Sequence, residues 1–479
     1  MNWLLIGEIG YILILALVCL RIIYDTRSTT KTVAYLLFAV FLPFIGMIFY
    51  FSFGINYRKR KMYNKKLSGN VLFLENLKKN SLVYTEESLH QDIPAMQDNS
   101  ELAHLLIKDL DSPLTKRNRV KLLLNGENKF PEVIQALREA KHHIHIEYYI
   151  YENDVIGGEI EQILIAKAKE GVEIRFIYDD FGSRSIRRKM VKRMRDAGIQ
   201  TSAFHKIRII FLANRLNYRN HRKIIIIDGK TAFTGGINVS DKYINSKKGQ
   251  VYWRDTHLRI DGPGVYYLQY LFLCDWIFCC EEKLSPDKYL TLCPSDDNTL
   301  VQIAASGPDS PQPSILFSML QVIYLAKEEI LITTPYFIPG DSLFDALIVA
   351  ALSGLKVRLL VPGKADSLLV NAAARSYYQD LLEAGVEIFR YEKGFVHAKT
   401  MVADGKLSVV GTANMDYRSF DLNFEVNALI YDSRFGEQLR QVFYEDIKDA
   451  RKMDLKAWKD RPIYLVLGEK VARLLSPLL

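Results

Sequence analysis

Residues 221–238 read HRKIIIIDGKTAFTGGIN, and a second stretch at residues 397–414 reads HAKTMVADGKLSVVGTAN. Both carry His, Lys and Asp at the spacing H-x-K-x-x-x-x-D, with an Asp-Gly pair between two apolar runs. Asp-Gly in that setting is typical of a tight hairpin turn, so each stretch is predicted to fold as strand, turn and strand. The run of isoleucines in the first stretch indicates that its strand is buried.

The reactive side chains of each stretch gather at the start of the hairpin. His221 and Lys223 are two residues apart, so they share one face of a regular strand, and His397 and Lys399 do the same. Lysine supplies a cation for phosphate oxygens, while histidine can attack phosphorus or carry a proton near neutral pH. One copy has a nucleophile without a leaving-group acid, whereas two copies facing each other supply both. The pattern therefore favours phosphoryl chemistry.

Asp228 and Asp404 complete the two motifs, and we include both in the candidate catalytic set with the histidines and lysines. Each lies seven residues after its histidine, which places it on the opposite face of a regular strand. Both are therefore expected to act as turn and framework residues more than as groups that contact substrate.

Asn238 and Asn414 end the two hairpins, ten residues after the aspartates. Folding each hairpin back on its turn brings the asparagine close to the histidine of the same copy, where its amide can donate to phosphate oxygens. The alternative is a pair of structural hairpins with satisfied histidines. That alternative does not explain why the same polar set recurs while the apolar residues between its members differ.

The two motifs belong to a larger internal repeat. Residues 140–151 (AKHHIHIEYYIY) resemble residues 326–337 (AKEEILITTPYF), and residues 166–179 resemble residues 350–363. Each pair reads as a helix end followed by a strand, and this alternation in both copies predicts an α/β architecture. The predicted divisions are a linker at 58–115, a first half at 116–290 and a second half at 291–479.

Two apolar segments open the chain and predict a transmembrane helical hairpin over residues 1–57. Trp3–Leu20 is apolar apart from Glu8, and Thr32–Gly54 carries no charge. Each is long enough to cross a hydrocarbon core about 30 Å thick. A cleaved signal peptide would need a basic start and a small-residue cleavage site, which the first segment lacks. Two buried core helices are the other alternative, although so long an uncharged run is unusual in a soluble helix.

Charge and cysteine usage predict the side of the membrane. The loop between the apolar segments carries three basic residues and the stretch 58–66 carries six, which places the C-terminal bulk in the cytoplasm. Five cysteines, without zinc-binding spacing, fit reduced thiols in that compartment. The net charge of +8 allows an anionic partner, either nucleic acid or lipid headgroups. The basic run 184–195 (RSIRRKMVKRMR) is predicted to be a helix that faces anionic lipid or, equally, solvent.

At the two motifs the chain resembles the phospholipase D superfamily, over about residues 116–479. Among its members the chain looks like the bacterial cardiolipin synthases, which share the apolar N-terminal segments and several further stretches. Those stretches are YWRDTHLRIDG (252–262), TTPYFIPG (333–340), GTANMDYRSFDLNFE (411–425) and VARLLSPLL (471–479). The resemblance implies two α/β/α halves related by a pseudo-two-fold axis, with the active site at their interface.

The resemblance also implies a role for each histidine. His221, as nucleophile, attacks a phosphodiester and forms a phosphatidyl-histidine, and His397 protonates the departing alcohol and deprotonates the incoming one. The internal symmetry leaves the reverse assignment open. Asp255 and Glu425 stand where the family has the acidic partners that orient the histidines, with ordinary strand charges as the alternative.

The remaining roles concern the phosphate and the lipid. Lys223, Lys399, Asn238 and Asn414 are implied to hold the phosphate. The implied reaction transfers a phosphatidyl group between two phosphatidylglycerol molecules, giving cardiolipin and glycerol, and no metal or cofactor is predicted. The implied partner is an anionic phospholipid of the bacterial plasma membrane and not nucleic acid, while the oligomeric state and acyl-chain preference stay open.

Three rival functions compete with this one. A membrane-anchored hydrolytic phospholipase D would use the same residues with water as acceptor. A nuclease of the same superfamily would use the basic charge for DNA, although a membrane anchor argues against it. A non-enzymatic membrane scaffold would not depend on the two histidines.

Overall fold

The computed structural model describes residues 3–26, 29–51, 85, 96, 98–204, 218–245, 249–280, 282, 284 and 288–476. The chain divides into an N-terminal unit, Met1–Ser68 with Ile207–Tyr218, and a sheet unit, Gly69–Lys206 with Arg219–Leu479. The described part of the N-terminal unit contains the helices Trp3–Asp25, Thr29–Phe41 and Pro43–Phe49.

The helices of the N-terminal unit are apolar and share a small buried cluster. Val18 and Ile22 belong to this cluster together with Ala39 and Tyr50. Ile6–Asp25 is long and apolar enough to cross a membrane. The first predicted span therefore has the length and composition it needs.

The second predicted span, Thr32–Gly54, is interrupted near its middle. One helix ends at Phe41 and the next begins at Pro43, because proline has no N–H to continue the ladder of hydrogen bonds. Residues 52–54 lie outside the described residues. A hairpin of two complete membrane spans therefore stays a prediction.

The strands of the sheet unit form two consecutive sets, one in each predicted half. The first set is β1 (Thr115–Leu124), β2 (His143–Tyr148), β3 (Glu173–Asp179), β4 (Gln200–Phe204), β5 (Arg219–Asn220), β6 (Ile224–Ile227), β7 (Thr231–Gly235), β8 (Tyr252–Arg254) and β9 (Thr256–Asp261). The second set is β10 (Thr299–Ser306), β11 (Glu329–Thr333), β12 (Phe337–Ile338), β13 (Lys356–Pro362), β14 (Glu387–Tyr391), β15 (Gly394–Val396), β16 (Thr400–Ala403), β17 (Leu407–Gly411), β18 (Met415–Asp416), β19 (Asn423–Tyr431) and β20 (Ala450–Lys452).

The main strands join one continuous sheet whose two halves repeat the same order. From the centre outward the first half runs β1, β9, β7, β6, β2, β3, β4, and the second runs β10, β19, β17, β16, β11, β13, β14, with β20 at its edge. Because β1 and β10 pair antiparallel at the centre, a pseudo-two-fold axis between them relates the halves. The predicted pair of α/β halves is confirmed.

Helices cover both faces of this sheet, as the parallel crossovers between β2, β3 and β4 require. The helices of the first half are Asn125–Glu139, Val155–Lys169, Lys189–Asp196 and Val265–Cys280. Those of the second half are Ser314–Leu325, Gly340–Leu352, Leu368–Arg375, Tyr378–Glu383, Tyr417–Asp421, Ser433–Asp446, Leu455–Lys459 and Ile463–Leu474. Ser100–Leu110 precedes β1, and short 3₁₀ helices occupy Asp241–Tyr243 and Ile447–Asp449.

The isoleucine run of β6 is buried from both sides. Ile225 and Ile227 join the apolar core of the first half. Successive side chains of a strand alternate between faces, so Ile224 and Ile226 point to the other face and are also buried. A strand covered on both faces needs a continuous apolar run, which is what the sequence provides.

Each hairpin turns on its Asp-Gly pair. The φ angles are 54° and 65° at Asp228 and Gly229, and 53° and 62° at Asp404 and Gly405. Positive φ at both central residues defines the mirror-image turn that Asp-Gly favours in hairpins. The predicted turns are confirmed.

The aspartate side chains tie these turns to the neighbouring helix–strand junction. Asp228 accepts three consecutive N–H bonds from residues 141–143, at 2.9, 2.7 and 2.9 Å. Asp404 accepts the equivalent three from residues 327–329, at 2.8, 2.8 and 2.9 Å. A four-residue strand separates each aspartate from its motif lysine, so their Cα atoms lie about 17 Å apart along extended chain. The structure thus places both carboxylates at the far end of the strand from the histidines.

Asp228→Ala is expected to lower the free energy of unfolding by about 2–3 kcal/mol, because it leaves three N–H groups without their acceptor and strains the left-handed backbone. Asp228→Asn keeps one acceptor oxygen and tolerates positive φ, so its cost is expected to be about 1 kcal/mol. Thermal unfolding of the detergent-solubilised full chain measures both changes. Lost activity in either variant at unchanged thermal stability would contradict the framework assignment.

Two predicted elements differ from those observed. The strands β6 and β16 begin at Ile224 and Thr400, so each motif His and Lys precedes its strand instead of lying within it. The helix predicted over 184–195 begins only at Lys189. The reason is that the Asp179 side chain accepts the N–H groups of residues 181 and 182 and starts a series of turns.

Other predictions concern residues that lie partly outside the described chain. Most of the predicted linker at 58–115, with the basic stretch 58–66, lies outside the described residues, as do residues 477–479 of the C-terminal stretch. The described part of the linker contains the helix Ser100–Leu110. All five cysteines lie within the described residues, and none of them forms a disulfide.

Candidate active site

The two halves exchange short strands at the point where the motifs begin. β5, which precedes His221, pairs in parallel with the start of β19 in the second half. β15, which precedes His397, pairs in the same way with β8 in the first half. The His221 N–H donates to the Phe424 carbonyl at 2.9 Å, and the His397 N–H donates to the Arg254 carbonyl at 2.7 Å. Both histidines are therefore held at the interface between the halves.

Each histidine contacts a buried carboxylate from the opposite half. His397 Nδ1 lies 2.8 Å from Asp255 Oδ2, and His221 Nδ1 lies 3.1 Å from Glu425 Oε1. Asp255 and Glu425 are fully buried, while the imidazoles keep 16% and 21% of their surface exposed. A carboxylate on Nδ1 holds the ring with its other nitrogen free. Among the described residues neither Nε2 has a hydrogen-bond partner, so both are available to a substrate.

The two motif lysines lie beside these rings. Lys223 Nζ donates to the His221 carbonyl at 2.6 Å, and Lys399 Nζ donates to the His397 carbonyl and lies 2.8 Å from its Nδ1. Burial lowers the pKa of Lys223 to about 8 and, with the charge of Lys223 nearby, that of Lys399 to about 7. These shifts describe two cations held close together in a poorly solvated site, an arrangement that favours a bound anion.

Asp255 and His397 both have lowered pKa values, for different reasons. Burial raises the pKa of the Asp255 carboxyl, but Lys399 and His397 outweigh it and hold the pKa below its usual value. Burial and Lys399 lower the pKa of His397 to about 4, against the opposing effect of Asp255. His397 is therefore neutral in the empty site at neutral pH, and an anionic phosphodiester favours its protonated form.

The catalytic efficiency, kcat/KM, is expected to fall as the pH rises through about 7 to 8. The cause is that Lys399 and Lys223 lose the charge that binds an anionic substrate above their lowered pKa values. The measurement is a pH profile of initial rates at low substrate concentration. Lys399→Arg is expected to move the decline to higher pH, because Lys399 has the lower pKa of the two lysines and arginine stays charged. A profile flat to pH 9 would contradict this account.

Asn238 and Asn414 each form hydrogen bonds with residues of their own half. Asn238 accepts the Ile150 N–H at 3.1 Å and donates to the Tyr243 hydroxyl at 3.3 Å, and Asn414 donates to Asp416 at 3.0 Å. Within the described chain neither side chain hydrogen-bonds to its histidine. The buried Asn414 Oδ1 has no partner there, but this oxygen is an acceptor and does not itself bind a phosphate oxygen. The phosphate-binding role stays a prediction.

Several supporting residues were not anticipated. Asn423 donates to Glu425 at 3.2 Å and lies 3.3 Å from His221 Nδ1, and Thr412 donates to Glu425 at 2.5 Å. In the first half the place of Thr412 is taken by Gly236, where a Cβ atom would lie 2.0 Å from Asp255 Oδ1. In the sequence this difference is visible as Gly235-Gly236 in the first motif against Gly411-Thr412 in the second.

Lys129 and Asn125 are two further supporting residues of the first half. Lys129 is fully buried and donates to the carbonyls of Ile237 and Asn238 at 2.8 and 3.2 Å. Asn125 brackets Asp255, accepting its N–H at 3.0 Å and donating its own N–H to the Asp255 carbonyl at 2.9 Å. These four bonds fix loops that carry site residues.

The regions that match known protein families correspond to the two halves and the N-terminal unit described above. A family model described as "Cardiolipin synthase, PLD-like domain" matches residues 133–253 and 319–447, which contain one motif each. A second model, "Phospholipase_D-nuclease N-terminal", matches residues 12–54. The chain therefore belongs to the phospholipase D-like cardiolipin synthase family.

Curated relatives match over nearly the whole chain. A cardiolipin synthase of a Geobacillus species is 41% identical, covering 95% of this chain and 90% of the relative. That of Alkalihalophilus pseudofirmus is 40% identical over 100% of this chain and 95% of the relative. The major cardiolipin synthase of Bacillus subtilis is 40% identical over 98% of both.

Solved structures share the fold at lower identity. The phosphatidylserine synthase of Haemophilus influenzae matches with a TM-score of 0.59 and 13% identity, covering 79% of this chain and all of that one. The polyphosphate kinase of Porphyromonas gingivalis matches with a TM-score of 0.50 and 13% identity, covering 74% of this chain and 53% of that one. At these identities the likeness concerns the fold alone.

Proposed function

We propose that the protein is a cardiolipin synthase that transfers a phosphatidyl group from one phosphatidylglycerol to another, releasing glycerol. The observation that carries this proposal is the pair of crossed His–carboxylate contacts, His397 with Asp255 and His221 with Glu425. They give one interface two imidazoles, each with a free Nε2, beside two buried lysines. The full-length similarity to cardiolipin synthases supports the choice of substrate.

In the first step His221 Nε2 attacks the phosphorus of the donor lipid. The bond between phosphorus and the glycerol oxygen breaks, and the proton on His397 passes to that oxygen, so glycerol leaves as a neutral alcohol. Glu425 stabilises the positive charge that develops on His221. The product is a phosphatidyl-histidine and a neutral His397.

In the second step a headgroup hydroxyl of another phosphatidylglycerol gives its proton to His397 and attacks the phosphorus. The phosphorus–nitrogen bond to His221 breaks and cardiolipin is formed. The bond broken and the bond made are both phosphodiester bonds, so no energy-rich co-substrate is needed. Lys223 and Lys399, with Asn238 and Asn414, hold the phosphate oxygens through both steps.

The membrane location fits this chemistry. The apolar segments Trp3–Leu20 and Thr32–Gly54 would anchor the chain, and the basic stretch 58–66 would lie against anionic headgroups on the cytoplasmic side. Such an anchor would keep the chain at the same bilayer as its lipid substrate.

Vesicles of labelled phosphatidylglycerol test the proposal. The purified full chain is expected to form cardiolipin and free glycerol in equal amounts. Phosphatidic acid as the sole lipid product would instead identify the hydrolytic phospholipase D, which uses the same residues with water as acceptor. A preparation that forms neither product from phosphatidylglycerol would reject both enzymes.

A further inference from the structure

The proposed reaction needs a place for a second phosphate. Cardiolipin contains two phosphodiesters, and only one of them reacts between the histidines. The other belongs to the acceptor lipid and keeps its negative charge throughout the reaction. A synthase must therefore bind an anion near His221 that a purely hydrolytic enzyme has no need to bind.

Arg219 is a buried cation whose guanidinium is not fully hydrogen-bonded. It is 4% exposed, and its buried Nη1 has no hydrogen-bond partner. Its guanidinium lies 4.3 Å from the ring centre of Phe181, and that of Arg184 lies 4.2 Å from the same ring. A buried donor without an acceptor is costly, so this side chain is suited to a ligand that brings oxygen atoms.

A third arginine and a tyrosine belong to the same cluster. Burial lowers the pKa of Arg219, and the charges of Arg418 and Arg184 lower it further, against the opposing effects of Asp179 and Tyr149. Arg219 and Arg418 both lie near the half-buried Tyr149, whose ring centre is 4.2 Å from that of His221. The cluster therefore borders the candidate nucleophile.

The nearby carboxylate of Asp179 offsets at most one of the three positive charges of this cluster. Asp179 faces Arg219, but its oxygens accept N–H bonds from Phe181 and Gly182 at 2.9 Å and from Asn220 at 3.3 Å. Across the residues that the structure describes, no carboxylate forms an ion pair with Arg184, Arg219 or Arg418. Three cations beside one carboxylate leave an excess of positive charge, which a bound anion would balance.

The internal repeat shows that the cluster is special to one side of the site. The residue two before His397, which corresponds to Arg219, is Phe395. Its ring packs against Trp253 at 5.1 Å and against His397 at 5.9 Å. On the His397 side the counterpart of Arg418 is Lys242, which lies 5.5 Å from the Trp253 ring. Arg219 has no basic counterpart there, so the His221 side is the more basic of the two and suits a second phosphate better.

We propose that Arg184, Arg219 and Arg418 bind the phosphodiester of the acceptor lipid, an inference that rests on the proposed function. Arg219 lies two residues before His221, about 7 Å along extended chain, an interval that a glycerol bridge between two phosphates can span. Arginine forks suit phosphate oxygens. The acceptor is thus held with its free headgroup hydroxyl directed at the phosphatidyl-histidine.

Two reactions of one full-length preparation in phosphatidylglycerol vesicles test this site. Cardiolipin formation needs a phosphate-bearing acceptor, whereas exchange of labelled glycerol into phosphatidylglycerol uses glycerol, which has no phosphate. The variant Arg219→Gln/Arg418→Gln is expected to lower the ratio of cardiolipin to exchanged glycerol by about 10- to 100-fold. The ratio is insensitive to a misfolded fraction, because that fraction lowers both reactions equally.

Matched variants make the test specific. Arg188→Gln removes one arginine charge from an exposed position near Arg184 and is expected to leave the ratio unchanged. Arg219→Lys/Arg418→Lys, which keeps charge but loses the fork, is expected to fall between the wild type and the glutamine variant. An unchanged ratio in the glutamine variant, or an equal change with Arg188→Gln, would overturn the site.

Inorganic phosphate separates a lipid phosphodiester from free phosphate as the ligand. A lipid site predicts that added phosphate inhibits cardiolipin formation only weakly and to the same extent in the wild type and the glutamine variant. Strong inhibition of the wild type alone would reassign the cluster to free phosphate and overturn the proposal. A wild type that exchanges glycerol but forms no cardiolipin would refute the proposed function itself, a different result from a changed ratio.

Discussion

His221→Gln and His397→Gln are each expected to lower cardiolipin formation by about 10⁴-fold or more, because one removes the proposed nucleophile and the other the acid and base. His142→Gln is the matched control, since His142 is an exposed histidine of the same half. Product formation from labelled phosphatidylglycerol measures all three. A histidine variant with more than a tenth of wild-type activity would contradict the two-histidine mechanism.

The two histidine variants are expected to differ with an activated substrate. A phosphatidyl ester of an acidic phenol has a leaving group that needs no proton, so His397→Gln is expected to release one equivalent of phenol and retain a lipid label on His221. His221→Gln is expected to release none. The opposite pattern would reverse the assignment of nucleophile and acid that the internal symmetry leaves open.

Asp255→Asn and Glu425→Gln are expected to lower kcat by about 10²- to 10⁴-fold, because each removes the buried carboxylate that orients a histidine and stabilises its charged form. The shapes of these side chains are preserved, so thermal unfolding of each variant serves as the control for misfolding. Kinetics with phosphatidylglycerol measure the loss.

The two carboxylate variants are further expected to act across the interface between halves. Glu425→Gln lies in the second half but is expected to slow phenol release from the activated substrate, because Glu425 contacts His221 of the first half. Asp255→Asn is expected to leave that release largely intact, because Asp255 contacts His397. Equal effects of the two variants on phenol release would contradict the crossed pairing.

Local features of the site were predictable from the sequence. The Asp-Gly turns, the buried isoleucine run and the framework position of Asp228 all follow from residue spacing within one hairpin. Local spacing could not predict that β6 begins at Ile224, because the residues before it pair with the other half. Nor could it match Asp255 to His397, which lies 142 residues further along the chain.

The basic cluster shows the same limit. Arg184 appeared in the sequence as part of a basic run predicted to be a helix. Its contact with Phe181 depends on turns set by the Asp179 side chain, and its proximity to Arg219 depends on the order of the strands. Such a cluster is assembled from distant segments of the chain, so no short sequence pattern predicts it.

The exchange of β5 and β15 between the halves has a consequence for how this chain can change over generations. Each histidine depends on a carboxylate encoded in the other copy of the repeat, so neither copy can lose its motif, move or be deleted while the other stays functional. A harmful substitution in one copy cannot be masked by the intact copy. Duplication here created mutual dependence in place of redundancy.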